Sequence, residues 1–442
     1  MRRELYNNLL AWKNSPRRKP LLLSGARQTG KTHLLTEFGE REYEQVHVYN
    51  FEQEPLLSGF FERDLRPERI LAELALYRGT RVEPERHLLF FDEIQACNGA
   101  LNSLKYFQEQ AGEYHVVAAG SLLGVELSKP GSFPVGKVNM VRLYPMTFLE
   151  FLEGIGQGGY REYLEKLDRI EPLPEALHRE LIALLRAYYV VGGMPEAVAV
   201  FAESRTLDHV RTVQEDILNA FAQDFAKHTP AKDIPKMRQV WESLPVQLAR
   251  ENKRFLFSTA SESARARDYE DALLWLEGAG LVTRSFVVET PRLPLKSYSD
   301  RQRFKLYALD VGLLGALSRL SPQVLVSGDA VFQEYHGAFV ESYVAQTLSA
   351  VLPGELYYWR NRKSTAEVDF LCEFEAGIVP LEVKAGVNPR SKSLRTVGAT
   401  YALRPLLRTT LRNLRVDGDI LNVPLYAAPL LPQLAAVAFE AQ

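Results

Sequence analysis

Cysteine is nearly absent: Cys97 and Cys372 are the only two in 442 residues, far apart in sequence and without histidines at ligand spacing. That excludes a disulfide scaffold and a structural zinc site, and it points to a reducing cytoplasm. Long apolar runs are missing too. No stretch approaches the ~20 residues that span a bilayer, and the basic start MRRELYNNLLAWKNSPRRKP lacks the apolar segment and cleavage site of a secretory signal. Neither sign of charge dominates. With 53 Lys and Arg against 55 Asp and Glu, any surface for nucleic acid has to be a local patch. Internal repeats and low-complexity tracts are also lacking. The remaining composition, 46% hydrophobic and 24% charged, is that of a globular chain and excludes disordered, collagenous and coiled-coil proteins. At about 150 residues per domain the length allows about three, each with its own core.

The texture of the chain fits four pieces better than three. Up to about Tyr144, short β-type runs (21–23, 46–49, 88–91, 116–119 and 140–143) alternate with amphipathic helical segments. That alternation predicts an α/β domain with a parallel sheet over 1–146. From Thr147 to His228 apolar residues recur at three- and four-residue spacing, as in LHRELIALLRAYY, which predicts a helical region. HTPAKDIPK, with two prolines, reads as a linker into a third piece over 229–322, and SRLSPQVLVSGDA precedes a final α/β piece over 323–442.

The strongest signal is LLLSGARQTGKTHLL. Gly25, Gly30, Lys31 and Thr32 complete G-x-x-x-x-G-K-[ST] between an apolar strand and a helix. Such a loop cradles β- and γ-phosphates at the positive end of a helix; the lysine adds a charge and the threonine hydroxyl a magnesium ligand. The nucleotide-contacting set is Gly25, Ala26, Arg27, Gln28, Thr29, Gly30, Lys31, Thr32 and His33, with ATP and Mg²⁺ as cofactors. In HLLFFDEIQ, four apolar residues lead to Asp92, assigned to the magnesium shell, and Glu93, assigned to polarising the attacking water. An adjacent acid pair suits a hydrolysing motor rather than a kinase or GTPase. Ser121, at the end of HVVAAGS, is placed either as a sensor of the γ-phosphate or as a helix N-cap.

Together SGARQTGKT, FFDEIQ, AAGSLLG, SFPVGKVNMVRLYPMTFLEF and VGGMPEAV resemble the prokaryotic AAA-type ATPases of the ASCE P-loop class that carry a carboxy-terminal domain of unknown function. The resemblance runs over most of the chain. It implies a helical lid containing Gly192, Gly193, Met194 and Pro195, and active sites completed between subunits of a homo-oligomer such as a ring. It also implies a basic residue reaching the neighbouring nucleotide just before the last core strand. Lys137 sits there, with Arg142 on the strand. A lysine clamps phosphate less well than arginine, so a solvated cation is the equal alternative.

The third piece has the order of a winged helix: RQVWESLPVQLARENKRF and ARARDYEDALLWLEGAGLV as helices, then two strands around a polar loop. Cations cluster on its helices (Lys232, Lys236, Arg238, Arg250, Lys253, Arg254, Arg265, Arg267) and around the wing (Arg284, Arg292, Lys296, Arg301, Arg303, Lys305). They suit phosphate contacts with DNA, duplex or branched; interleaved acids leave protein contacts open.

In the last piece a helical pattern carrying Glu341 precedes strands bearing Asp369, then Glu382 and Lys384, two apart and so on one face. An acid followed by E-x-K resembles the restriction-endonuclease-like fold. The resemblance gives Glu341, Asp369 and Glu382 to Mg²⁺ and Glu382 with Lys384 to catalysis. The alternative is a buried salt-bridge network in a domain that does not cut. Tyr357, Tyr358 and Trp359 fit base stacking or, more commonly, the core. The expectation is an ATP-hydrolysing machine acting on DNA with a Mg²⁺-dependent nuclease domain. Its rivals are an ATP-dependent oligomeric switch with non-cleaving terminal domains and a kinase-like or chaperone-like P-loop protein.

Overall fold

The computed structural model describes residues 1–121, 136–228, 232–250, 253–261, 265–322, 330–363, 365–386 and 391–440, without the side chains of 228 and 330–336. Parts of the AAGSLLG and SFPVGK motifs, and parts of both predicted linkers, lie outside the described residues. The chain forms two compact units, residues 2–144 with 277–280, and residue 1 with 145–276 and 281–442.

The first unit is built on five parallel strands, β1 (Leu21–Ser24), β2 (Gln45–Asn50), β3 (His87–Asp92), β4 (His115–Gly120) and β5 (Asn139–Arg142), in the order β2-β3-β4-β1-β5. Each overlaps one of the predicted runs. The central strands are apolar on both faces, because helices cover both. Alternate residues of β3 go opposite ways: Leu89 and Phe91 join a core with Leu57, Ile70 and Phe107, whereas Leu88 and Phe90 join one with Leu34, Phe38 and Leu9. The register aligns Ser24 with Gly120 and Phe91 with Ala118, so β1, β3 and β4 end along one edge of the sheet. The loops after these strands carry the phosphate-loop motif, Glu93 and Ser121.

The second unit starts with a capping box. The Thr147 hydroxyl accepts from the Glu150 amide at 3.3 Å, and the Glu150 carboxylate from the Thr147 amide at 2.9 Å, opening the helix Phe148–Gly154. Helices Gly158–Glu165, Glu175–Val191, Pro195–Ser204 and Leu207–His228 follow. These helices, expected as the lid of the ATPase, cluster with the C-terminal residues: His178 Nδ1 lies 2.9 Å from the Tyr426 hydroxyl, and Gln346 donates to the Tyr188 hydroxyl at 2.9 Å. Helices Ile234–Ala249, Phe257–Ala260 and Ala266–Gly278 then lead into β6 (Val282–Val288) and β7 (Ser299–Ala308).

That order is the one expected of a winged helix, but the hairpin is shared. β6 pairs in parallel with β8 (Leu356–Arg360), and the sheet continues through β9 (Glu367–Phe374), β10 (Gly377–Val383), β11 (Leu406–Thr410), β13 (Ile420–Pro424) and β12 (Arg415–Asp417). One mixed eight-stranded sheet therefore runs across the expected boundary at 322. The long helix Ala330–Val351 connects the two parts of the sheet in sequence. Tyr357, Tyr358 and Trp359 are 7%, 1% and 2% exposed, which makes them core rather than a stacking surface.

Candidate active site

β1 delivers the chain into the phosphate loop, and two left-handed residues turn it: Gln28 at φ 64° and Gly30 at φ 90°. Gly30 caps the helix Lys31–Glu42, whose amino end faces the loop. Gly25 has no room for a side chain, because a Cβ there would strike the Leu143 carbonyl. Ala26 and Thr29 are buried, the Thr29 hydroxyl donating to the Ala26 carbonyl at 2.8 Å. Arg27 is half-buried, and Gln28, Thr32 and His33 are exposed. His33 lies 3.8 Å from Glu37.

Lys31 is buried, and its Nζ donates to the carbonyls of Gly25 at 3.1 Å and Ala26 at 2.8 Å. Burial lowers its pKa to about 8, while Glu93 and Asp92 pull it back upward. A phosphate offers this ammonium a better acceptor than two neutral carbonyls. The Thr32 hydroxyl lies 3.1 and 3.2 Å from the Asp92 oxygens, and Asn50 donates to Asp92 Oδ2 at 3.0 Å. Burial, then the neighbouring Glu93, raises the Asp92 pKa. Hard oxygens from one hydroxyl and one carboxylate suit Mg²⁺, which takes one or two protein ligands beside phosphate and water. Glu93 adopts a left-handed conformation at φ 47°. Its Oε2 accepts from Gln95 at 2.6 Å and from the Ser121 hydroxyl at 3.4 Å. The sheet edge thus brings together Lys31, Thr32, Asp92, Glu93 and Ser121. A cleft of about 900 Å³ beside the helix Pro67–Arg78 contains none of them.

These motifs lie in a segment that matches a known family. Residues 17–152 match the family described as AAA domain. The chain carries an AAA-type ATPase domain. Downstream of this ATPase domain, residues 182–324 and 336–427 match two families described as Domain of unknown function (DUF8612) and Domain of unknown function (DUF4143). No curated protein matches the chain. Among solved structures, the Walker-type ATPase PABY2304 of Pyrococcus abyssi is 16% identical, with 72% of this chain and 95% of that one covered at a TM-score of 0.45. The Orc1 protein of Aeropyrum pernix in complex with DNA is 14% identical, covering 72% and 90% at 0.30. The RuvB Holliday junction branch migration motor of Thermotoga maritima is 18% identical, covering 64% and 90% at 0.32.

Two supports of the ATPase site carry no motif. Asn50, at the end of β2, holds Asp92. Arg3, only 8% exposed, donates to the Thr29 carbonyl at 3.1 Å and to the Tyr144 carbonyl at 2.5 Å. Arg3→Ala leaves these carbonyls unpaired, at ~1–3 kcal/mol for a buried group. We expect about tenfold weaker binding of a fluorescent ATP analogue by titration, with an unchanged circular dichroism spectrum; unchanged affinity would refute the support. Of the two cations expected near the last core strand, Lys137 Nζ lies 2.9 Å from Glu109, and Arg142, exposed, donates to the Glu277 carbonyl at 3.3 Å.

The terminal acids and cations gather around the eight-stranded sheet. Glu341 accepts from Tyr307 at 2.5 Å and from Lys305 at 3.0 Å, and it also pairs with Lys253. Burial opposes its charge, yet Lys253 and Lys305 hold its pKa well below the usual carboxylate range. Asp369 accepts from the Val383 amide at 2.8 Å. Burial and Glu341 push it up to about 6, against Lys305 and Lys384. Glu382 is buried and lies 3.0 Å from Lys384.

Among the described residues no group of three or more His, Cys, Asp or Glu is disposed to hold a metal ion. Ammonium groups lie beside each carboxylate that the sequence assigned to Mg²⁺: Lys253 and Lys305 by Glu341, Lys305 by Asp369 and Lys384 by Glu382. One reading is corrected, that of Lys305. Placed by its sequence among cations facing DNA, it is 1% exposed.

Proposed function

We propose that the protein is an ATP-driven machine that acts on DNA, hydrolysing ATP at the phosphate loop and holding duplex or branched DNA with its C-terminal unit. The grouping of Lys31, Thr32, Asp92 and Glu93 at one sheet edge carries the ATP half of this reading. Lys31 neutralises and positions the phosphates, Glu93 orients the attacking water, and Ser121 lies within reach of Glu93. Magnesium held by Thr32 and Asp92 would offset the charge on the departing phosphate. A homo-oligomer, such as a ring, completes the site in trans, with Lys137 or Arg142 as the basic residue that reaches the neighbouring nucleotide. Both cysteines are free and buried, as suits a cytoplasmic protein, and among the described residues no helix is long and apolar enough to cross a membrane.

For DNA, the exposed cations of the winged-helix order are Lys232, Arg238, Arg250, Arg265, Arg267, Arg292, Lys296 and Arg301. Replacing Arg238, Arg250 and Arg265 with alanine removes three charges from this set. The slope of log K against log salt falls by roughly 0.9 for each phosphate no longer neutralised, and fluorescence anisotropy with a duplex at several salt concentrations measures it. An unchanged slope, or no DNA binding at low salt, contradicts this reading.

One observation favours a second reading, an ATP-dependent switch whose C-terminal unit binds a protein partner. Two of the wing cations are already neutralised: Arg301 pairs bidentately with Glu355 at 2.7 and 2.8 Å, and Arg303 with Glu289 and Asp300 at 2.6 and 2.7 Å.

A further inference from the structure

One buried cation in the C-terminal unit has no part in either ATP turnover or phosphate contact. Lys305 lies on β7, the edge strand beyond β6, and points into the domain. Its Nζ is 3.0 Å from Glu341 Oε1, 2.8 Å from Glu367 Oε1 and 3.9 Å from Asp369 Oδ1, and it lies 4.9 Å from the centre of the Tyr358 ring. Three carboxylates from two elements, the helix Ala330–Val351 and β9, therefore converge on one ammonium. Lys253 takes the other oxygen of Glu341 and also donates to the Gly337 carbonyl at 3.2 Å.

A divalent cation needs several oxygen lone pairs directed at one shared position. Here that position among Glu341, Glu367 and Asp369 is filled by nitrogen. Asp369 spends Oδ2 on the Val383 amide, and Glu382 spends Oε1 on Lys384. Glu382 Oε2 is buried without a hydrogen-bond partner and Asp369 Oδ1 has Lys305 at 3.9 Å, but among the described residues no third acid, cysteine or histidine joins them at one position. The charges also close. Four carboxylates (Glu341, Glu367, Asp369, Glu382) face Lys253, Lys305 and Lys384, and Arg360 lies 3.7 Å from Glu367. Adding a divalent ion to four negative and four positive charges would leave two uncompensated positive charges in a largely buried site, which is costly.

We infer that Lys305 is a resident counter-cation at the position shared by Glu341, Glu367 and Asp369, so that this acid cluster ties β7 to the helix Ala330–Val351 and β9 and neither binds Mg²⁺ or Mn²⁺ nor cuts phosphodiesters. The inference does not rest on DNA binding, because its first readout is metal.

The test titrates nucleotide-free full-length protein with Mn²⁺ and follows free Mn²⁺ by electron paramagnetic resonance. Parent and Asp369→Asn should give the same isotherm, any shared Mn²⁺ belonging elsewhere. A stoichiometric Mn²⁺ present in the parent and lost in Asp369→Asn overturns the inference. Lys305→Gln removes the counter-cation; it should gain one Mn²⁺ at least tenfold more tightly than any site in the parent, with a Mn²⁺-dependent rise in melting temperature. Both gains should vanish when Glu341→Gln is added. A folded Lys305→Gln that gains no Mn²⁺ overturns the counter-cation role. Should that variant not fold, nicking of supercoiled plasmid by the parent in Mg²⁺ or Mn²⁺ decides: none is expected, and nicking abolished by Glu382→Ala refutes the inference.

Discussion

Glu93→Gln should bind ATP as tightly as the parent and hydrolyse it about 10³-fold more slowly. The expectation follows from where Glu93 sits. It follows Asp92 at the end of β3, in a left-handed backbone conformation, and its carboxylate is held by Gln95 and Ser121 rather than by Lys31 or Thr32. Its hydrogen bonds thus go to Gln95 and Ser121, and it acts on Lys31 only through charge. Binding should survive its neutralisation, whereas activation of water should not; positioned acid–base groups contribute typically ~10²–10⁴-fold. Lys31→Ala should behave differently, losing both turnover and affinity, because its ammonium is the buried positive charge of the loop. Phosphate release and equilibrium binding of a fluorescent ATP analogue, measured on both variants, separate the roles. Full turnover in Glu93→Gln would show that the water is oriented elsewhere, and full turnover in Lys31→Ala would remove the phosphate-loop assignment.

The ATPase unit was legible because its signals are local. A phosphate loop needs its glycines, lysine and threonine within eight residues, and each buried strand announces itself as a short apolar run ending in a turn or a polar residue. The same held for β9 and β10, read as the strands that bear Asp369 and Glu382. Long-range pairing left no such trace. Nothing in Ser285–Val288 shows that these residues pair in parallel with Leu356–Trp359, some seventy residues later; hence a hairpin that reads as a wing is part of a larger sheet. Lys305 was misread for a related reason. Its neighbours Arg301 and Arg303 are exposed and half-buried, and a lysine in that run looks solvated until the acids Glu341, Glu367 and Asp369 are brought to it by the fold. Arg3 was missed because a lone arginine near the amino terminus carries no pattern. Its role depends on two backbone carbonyls, which sequence does not display.

Asp310→Ala should destabilise the C-terminal unit by about 3–5 kcal/mol, an effect of the size produced by breaking a buried polar network. Asp310 is fully buried between the VGGMPEAV and ALDVGLL segments. Its carboxylate accepts from the Gly193 amide at 2.6 Å, the Leu313 amide at 2.9 Å and Gln346 at 3.2 Å. The glycines are there to let it in. Gly192, at φ 72°, ends the helix Glu175–Val191, and a Cβ on it would strike the Asp310 carboxylate; one on Gly193 would strike the Met146 carbonyl. Truncating Asp310 leaves the buried amides of Gly193 and Leu313 without this acceptor, and Gln346 with Tyr188 alone. Burial also raises its pKa to about 6, with the donated hydrogen bonds opposing. The folded form thus takes up a proton that the unfolded chain, with an ordinary aspartate, does not. This group's contribution is fully present below about pH 4 and is lost as pH rises through about 6, a swing of about 3 kcal/mol. The stability gap between parent and Asp310→Ala should therefore widen as pH falls from 7 to 4. Urea unfolding followed by tryptophan fluorescence at several pH values measures that gap, and one that narrows over this range would mean that Asp310 stays ionised in the folded core.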